Sequence, residues 1–283
     1  GFWLLISITS AVLAIRHESI ILSIIGLFGA YASPFLLGGF STLVEPSGSR
    51  VQGGQLIAYA ICVNFGVLAL STFRNWRWLT LFGLGGSLIT LTLWYLVLEG
   101  SEQLLIAYVG ATIIFLQYVG GTTLFHFIWS RRPNQFDFAL MTLNASAYFA
   151  MSCAMLWPEF RGWMGTFTLL LAAFYSVLAY ISIKTRGRSD HLGLMLIGIA
   201  VIFVAIAVPV QLGGSWISVA WSVQGVILVW VAFVLKAKTM LYSGFGLLIV
   251  AGVRALIFDS VLPSEGYVIF LNYRTLGFLP VIC

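Results

Sequence analysis

The sequence has 283 residues, of which 60% are hydrophobic and 8% are charged. An ordinary soluble domain carries about 25% charged residues, so this chain has too few charges to cover a core of its size in water. A soluble globular protein is therefore excluded, and lipid is expected to surround the chain. The net charge of +5 does not indicate nucleic-acid binding, because no basic cluster is interleaved with polar surface residues.

Apolar runs recur along the whole chain. A helix needs about 20 mostly apolar residues to cross the hydrocarbon, whereas strands of a membrane barrel would alternate polar and apolar residues. We therefore predict an all-α, polytopic transmembrane helix bundle of about eleven segments, in a single integral membrane domain over residues 1–283. The predicted segments are Gly1–Ile15, Ser19–Gly39, Gln55–Phe73, Trp78–Leu98, Leu104–Trp129, Phe138–Trp157, Trp163–Ile183, Leu192–Val210, Trp216–Leu235, Thr239–Phe258 and Val268–Cys283.

The two terminal segments look incomplete, because Gly1 and Cys283 both lie inside apolar runs. The chain opens with neither an initiator Met nor a basic leader, so an excerpt of a longer polytopic protein is expected. The connections between segments are short, and a folded soluble domain needs about 50 residues. Any chemistry is therefore expected within the membrane or at its edge.

Lys and Arg are distributed unevenly between the connections. Most of the 14 lie in the odd-numbered connections, whereas the even-numbered ones contain only Arg50 and Arg161. Cytoplasmic loops of membrane proteins carry an excess of Lys and Arg. The odd-numbered connections are therefore predicted to face the cytoplasm, with the anionic headgroups of membrane lipids as their natural partners. This distribution explains the basic balance of the chain without any nucleic-acid partner.

Two arginines near the predicted outer face are the first candidate binding residues. Arg254 lies about 6 Å from the outer end of the tenth segment by helix rise. An arginine within a membrane span is costly, so a functional role is the first hypothesis for it. Its long stem can also reach the interface, toward Asp259, without any ligand. Arg274 is expected near the same outer end. Together the two cations would flank a pocket that prefers an anion such as a lipid phosphate or carboxylate.

Amide side chains inside the apolar runs are the next candidates. They either line a polar path or form hydrogen bonds between helices, and packing accounts for most of them. Among these amides, Gln224 is a candidate substrate-binding residue. These amides are Asn64, Gln117, Asn144 and Gln224.

Several classes of chemistry find no support in the sequence. The segment interiors contain no Asp or Glu, which disfavours a proton-coupled mechanism. No nucleophile motif, zinc motif, P-loop or dinucleotide fingerprint is present, so no catalytic residue is predicted. The histidines lack the spacing of metal ligands, and no metal or other cofactor is predicted. Pro34 indicates either a plain kink or a broken helix of the kind found in transporters. The three histidines are His17, His126 and His191.

Two stretches of the sequence carry distinctive patterns: Leu22–Gly38 followed by Leu56–Trp78, and Ala207–Leu235. These stretches resemble a family of large bacterial membrane proteins of unknown function, the domain-of-unknown-function 2339 type. Leu22–Gly38 followed by Leu56–Trp78 is similar to the family's glycine-rich, proline-terminated helix, polar loop and aliphatic helix. Ala207–Leu235 is similar to its pattern of a Pro, a loop, a Trp, and a helix with a Trp and an acidic residue before a Gly. The matching positions are Pro209, Trp216, Trp221, Gln224 and Gly225, with Gln224 where the family pattern leads us to expect Glu. The resemblance implies a multi-pass protein of the bacterial cytoplasmic membrane with no established activity.

Three functional hypotheses remain. The leading one is a non-enzymatic integral component, either a structural or accessory subunit of a bacterial membrane or envelope complex or a lipid-binding protein, with membrane lipids and other membrane subunits as partners. The alternative is a carrier or flippase for an anionic lipid-like substrate, with Arg254 and Arg274 as anion contacts. A second alternative is a membrane-embedded transferase that uses His126 or His191.

Overall fold

A computed structural model describes residues 21, 23–33, 49–74, 77–97, 101–129, 135–186, 191–212, 216–235 and 238–259. These residues are helical almost throughout and include no strand, which confirms the prediction of an all-α chain. A 3-10 turn at Arg161–Trp163 separates the fifth and sixth helices, and a π-helical turn at Ala255–Asp259 follows the ninth. In this part of the chain the α-helices are α1 Ser23–Ser33, α2 Ser49–Arg74, α3 Arg77–Val97, α4 Ser101–Trp129, α5 Gln135–Phe160, α6 Met164–Arg186, α7 His191–Gln211, α8 Trp216–Leu235 and α9 Lys238–Arg254.

Seven of these helices, α2 to α8, are long and apolar enough to cross a membrane. Helical backbone satisfies its own hydrogen-bonding groups, which is why long apolar runs without interruption adopt it in lipid. The predicted segment Trp216–Leu235 coincides with α8. The predicted total of about eleven segments is not confirmed, because the first and last predicted segments lie outside the described residues, as does Pro34.

The chain divides into two compact units, the first ending at Pro158 and the second beginning at Glu159. In the first unit, α2 packs against both α3 and α4. One core cluster joins α1, α2 and α3, and a second joins α2, α3, α4 and α5 around Trp94 and Met155. The organisation of the whole sequence as a single membrane domain stays a prediction. The buried residues of the first cluster are Leu27, Ala30, Tyr31, Val63, Val67 and Leu79.

In the second unit, α6 packs along α7 and α8 packs along α9. The α8–α9 pair is closely spaced, since a Cβ added to Gly244 would lie 3.1 Å from the carbonyl oxygen of Gly225. Small residues permit this close approach between membrane helices. Gln211 connects the end of α7 to the start of α6. Its Nε2 donates to the Gly162 carbonyl, and its Oε1 accepts from the Gly165 N–H, each at 3.2 Å.

Two glycines of α3 make room for tyrosines of neighbouring helices. A Cβ added to Gly86 would lie 2.5 Å from the ring of Tyr31, and one added to Gly83 would lie 2.8 Å from the hydroxyl oxygen of Tyr118. Gly85, between them in sequence, has nothing within 4 Å of the same added atom. The absence of a side chain therefore matters at Gly83 and Gly86 and not at Gly85.

We predict that Gly86→Ala lowers the free energy of unfolding by about 1–3 kcal/mol, because the new methyl group displaces the ring of Tyr31 from its packed position. Denaturant unfolding in detergent micelles measures this change. The matched control is Gly85→Ala, which should be neutral or slightly stabilising, since alanine favours helix more than glycine does. Equal effects of the two substitutions would contradict the packing of Tyr31 against α3.

Candidate functional site

A buried polar cluster lies in the first unit where four helices meet. The Oδ1 of Asn64 on α2 accepts hydrogen bonds from the hydroxyls of Tyr31 on α1 at 2.6 Å and of Tyr118 on α4 at 2.8 Å. The Ser87 hydroxyl of α3 lies 2.8 Å from the same oxygen and 3.0 Å from the Tyr31 hydroxyl. Asn64 and Ser87 are completely buried. Among the residues that the structure describes, the Nδ2 of Asn64 has no hydrogen-bond partner.

This cluster acts as a hydrogen-bonded junction between α1, α2, α3 and α4. Tyr31, Ser87 and Tyr118 each supply a hydroxyl from a different helix, and all three meet at a single amide oxygen. Sequence reasoning identified the amide of Asn64 but missed these hydroxyls, because Ser and Tyr are common in apolar helices and have no distinctive spacing here. The geometry supports the packing interpretation of Asn64.

The other three amides each bond to the backbone of a neighbouring helix. Gln117 donates to the carbonyl of Ile61 at 3.1 Å, and Asn144 donates to that of Phe115 at 3.1 Å. Gln224 donates to the carbonyl of Val201 at 3.3 Å. Hydrogen bonds of this kind hold helices together inside membranes. Helix packing is therefore sufficient to explain Gln117 and Asn144.

A groove of about 600 Å³ lies between α7 and α8 in the second unit. Its walls are mainly aliphatic, with Val201 and Val204 on α7 and Val223 and Ile227 on α8. Trp216, the first residue of α8, and Leu212 line one end. No charged side chain is among the described residues that line the groove. The arrangement suits an elongated apolar ligand.

Gln224 on α8 and Ser176 on α6 are polar side chains in the lining of this groove, and the Ser176 hydroxyl donates to a backbone carbonyl in its own helix. Gln224 is the amide among them. Its Nε2 donates to Val201 on the opposite wall, whereas its Oε1 has no partner among the described residues and is shielded from solvent. One turn earlier on α8, the indole N–H of Trp221 donates to the Ala205 carbonyl at 2.8 Å. The two side chains connect α8 to α7 beside the groove.

Arg254, the last residue of α9, forms a hydrogen bond to the start of α8. Its Nη1 lies 2.7 Å from the Oγ of Ser218, which is almost fully buried in the first turn of α8. Ser218 was not identified from the sequence, since nothing in the sequence places it opposite an arginine. Because Arg254 bonds to α8 from α9 and Gln224 bonds to α7, the structure does not bring these two candidates into one pocket. Arg274, the third candidate, lies outside the described residues.

A metal centre finds no support in the described part of the chain. Within it, no group of three or more His, Cys, Asp or Glu side chains is close enough to hold a metal ion. His191 begins α7 and His126 lies in α4. His17 is not among the residues that the structure describes.

Comparison with known proteins gives one match. A family model described as "Predicted membrane protein (DUF2339)" matches residues 1–282. No curated protein and no solved structure matches the chain. The family description agrees with the seven long apolar helices, so the chain is a membrane protein by both criteria.

We predict that Asn64→Leu lowers the free energy of unfolding by about 1–3 kcal/mol, because it leaves buried hydroxyls from three helices without their common acceptor. The matched control is Asn144→Leu, which removes a similar buried amide that makes one bond to the Phe115 carbonyl. Denaturant unfolding in detergent should show the larger loss for Asn64→Leu. A loss at position 64 no greater than at position 144 would contradict the junction role.

Proposed function

The chain belongs to the DUF2339 family of predicted membrane proteins, and we propose that it is a lipid-binding component of the membrane, with the groove between α7 and α8 as its lipid site. The observation that carries this proposal is the size and lining of the groove: about 600 Å³ with mainly aliphatic walls. Such walls exclude water and favour hydrocarbon. An accessory role in a membrane complex is compatible with this site, since bound lipid often fills the space between packed helices.

The direction of the groove supports a lipid chain as the occupant. The described lining on α8 extends from Trp216 to Leu228, which is about 18 Å by helix rise. Tryptophan is enriched where the hydrocarbon meets the headgroups. A lipid chain that enters beside Trp216 would therefore run inward along α8, parallel to the chains of the bilayer.

We predict that Val223→Trp reduces lipid binding, because the indole would occupy the middle of the groove. Val226→Trp is the matched control: both valines lie on α8 and are similarly exposed, at 45% and 43%, but only Val223 lines the groove. Lipid retained through purification is extracted and measured by mass spectrometry. The expected result is at least a threefold loss for Val223→Trp, by lost apolar contact area, and little change for Val226→Trp.

The comparison of Val223→Trp with Val226→Trp tests directly whether lipid binds in this groove. Equal retention of lipid by the two tryptophan variants, with both folded, would contradict the groove as a lipid site. A loss in both variants would show that bulk anywhere on α8 disturbs binding, which would also count against this groove.

A carrier for an anionic lipid-like substrate is the second candidate, and the position of Arg254 favours it. The guanidinium bonds to Ser218 in the first turn of α8. A helix N-terminus carries a partial positive charge, so a cation placed beside it creates a region that attracts an anion. A phosphate at the membrane surface near this turn would interact with both the guanidinium of Arg254 and the N-terminus of α8.

We predict that Arg254→Gln weakens binding of phosphatidylglycerol by about threefold to tenfold, because a charge-assisted contact is lost at a partly exposed site. Binding of phosphatidylcholine should change little, since its headgroup has no net charge. Lys184→Gln is the control, because it removes one positive charge from an exposed position on α6. Titration of each lipid into protein in detergent measures the affinities. Unchanged phosphatidylglycerol binding by Arg254→Gln would remove the support for this candidate.

A further inference from the structure

We infer that the lipid bound between α7 and α8 is uncharged and carries a free hydroxyl group that donates a hydrogen bond to Gln224. This inference rests on the proposed lipid site and adds the chemical class of its ligand. It starts from the one amide that both lines the groove and has an acceptor without a partner among the described residues.

The orientation of the Gln224 amide determines what kind of group can bind it. The Val201 carbonyl can only accept a hydrogen bond, so the amide atom facing it at 3.3 Å must be the nitrogen. The oxygen Oε1 is therefore the atom without a partner, and only a donor can satisfy it. Saturated and unsaturated lipid chains contain no donor, so a plain acyl chain leaves this oxygen unpaired.

The Gln224 side chain can turn toward a ligand. Its bond to Val201 is longer than the usual 2.7–3.2 Å range for an N–H donor. The Gln224 side chain has several rotatable bonds, and the groove beside it provides about 600 Å³ of space. A rotation about these bonds would bring the shielded oxygen to the groove, where a hydroxyl of the ligand would replace the missing partner.

The depth of Gln224 favours an uncharged donor. Gln224 lies eight residues after Trp216 on α8, which is about 12 Å along a helix. A hydrocarbon core is about 30 Å thick, so this position is close to the middle of the membrane. A charged group at that depth costs several kcal/mol, and no charged side chain of the described lining offsets the cost. A neutral hydroxyl can donate a hydrogen bond to Oε1 and carries no charge into the middle of the membrane.

The test compares two probes that differ only in the donor. Methyl 12-hydroxyoleate, the alcohol, has one free hydroxyl partway along its chain, and methyl oleate has the same chain without the donor. Each is offered to the full chain in phosphatidylcholine nanodiscs, and bound probe is measured by native mass spectrometry. We expect the alcohol to bind about threefold to tenfold more tightly than methyl oleate, which is the effect of one neutral hydrogen bond.

Gln224→Leu should reduce this preference to nearly equal binding of the two probes. The matched control is Gln117→Leu. Gln117 also donates to a backbone carbonyl, that of Ile61, and its Oε1 also has no partner among the described residues, but it does not line the groove between α7 and α8. The preference for the alcohol should therefore persist in Gln117→Leu. Gln224→Met, which keeps an unbranched side chain, serves as a second variant if Gln224→Leu does not fold.

The outcomes separate this inference from the proposed function. Equal binding of the alcohol and methyl oleate by the unmodified chain overturns the inference, as does an equal loss of preference in the Gln224 and Gln117 variants. The lipid site itself would still stand if Val223→Trp loses lipid and Val226→Trp does not. If neither tryptophan variant loses lipid, the proposed function fails, and the inference fails with it.

Discussion

The absence of water around the spanning helices is the constraint on which this structure depends. Hydrocarbon offers no hydrogen-bond partner, so the backbone bonds within helices and polar side chains must bond to neighbouring helices. Gln117 and Asn144 meet this requirement by donating to backbone carbonyls across a helix pair. Almost any apolar helix face could pack against another apolar face. Buried amides such as Gln117 and Asn144 favour the pairs of faces in which they find a hydrogen-bond partner.

The two units meet this constraint in different ways. In the first, hydroxyls from three helices meet the buried amide of Asn64, and glycines of α3 let the tyrosines approach. In the second, Gly225 and Gly244 bring α8 and α9 into close backbone contact, whereas an aliphatic groove remains between α7 and α8. The first arrangement joins four helices through one amide and suits a structural role, although an apolar cavity of about 410 Å³ remains between α1 and α3. The second leaves a groove of about 600 Å³, and the proposed lipid site lies there.

The candidate site was only partly predictable from the sequence. Gln224 and Arg254 were identified because polar and charged residues are expensive inside apolar helices. Their partners, Val201 and Ser218, were not identified, since a hydrogen bond across two helices depends on how each helix is rotated and how far it is shifted along its axis. For the same reason the sequence did not show that Gln224 bonds to α7 and Arg254 bonds to α8 from α9. The predicted anion pocket between Arg254 and Arg274 stays a prediction.

The sequence by itself determined that the chain is all-α and apolar, and it located the helix Trp216–Leu235. The reason is that span length and the placement of charges are local properties, set by membrane thickness and by the cost of burying charge. Only the tertiary structure decided that α1 to α4 share a hydroxyl–amide junction and that α7 and α8 leave a groove with an unpaired acceptor. Hydrophobic periodicity cannot predict these features. In a membrane, the helix face that contacts lipid is as apolar as the face that packs against other helices, so the pattern of apolar residues does not show which face packs.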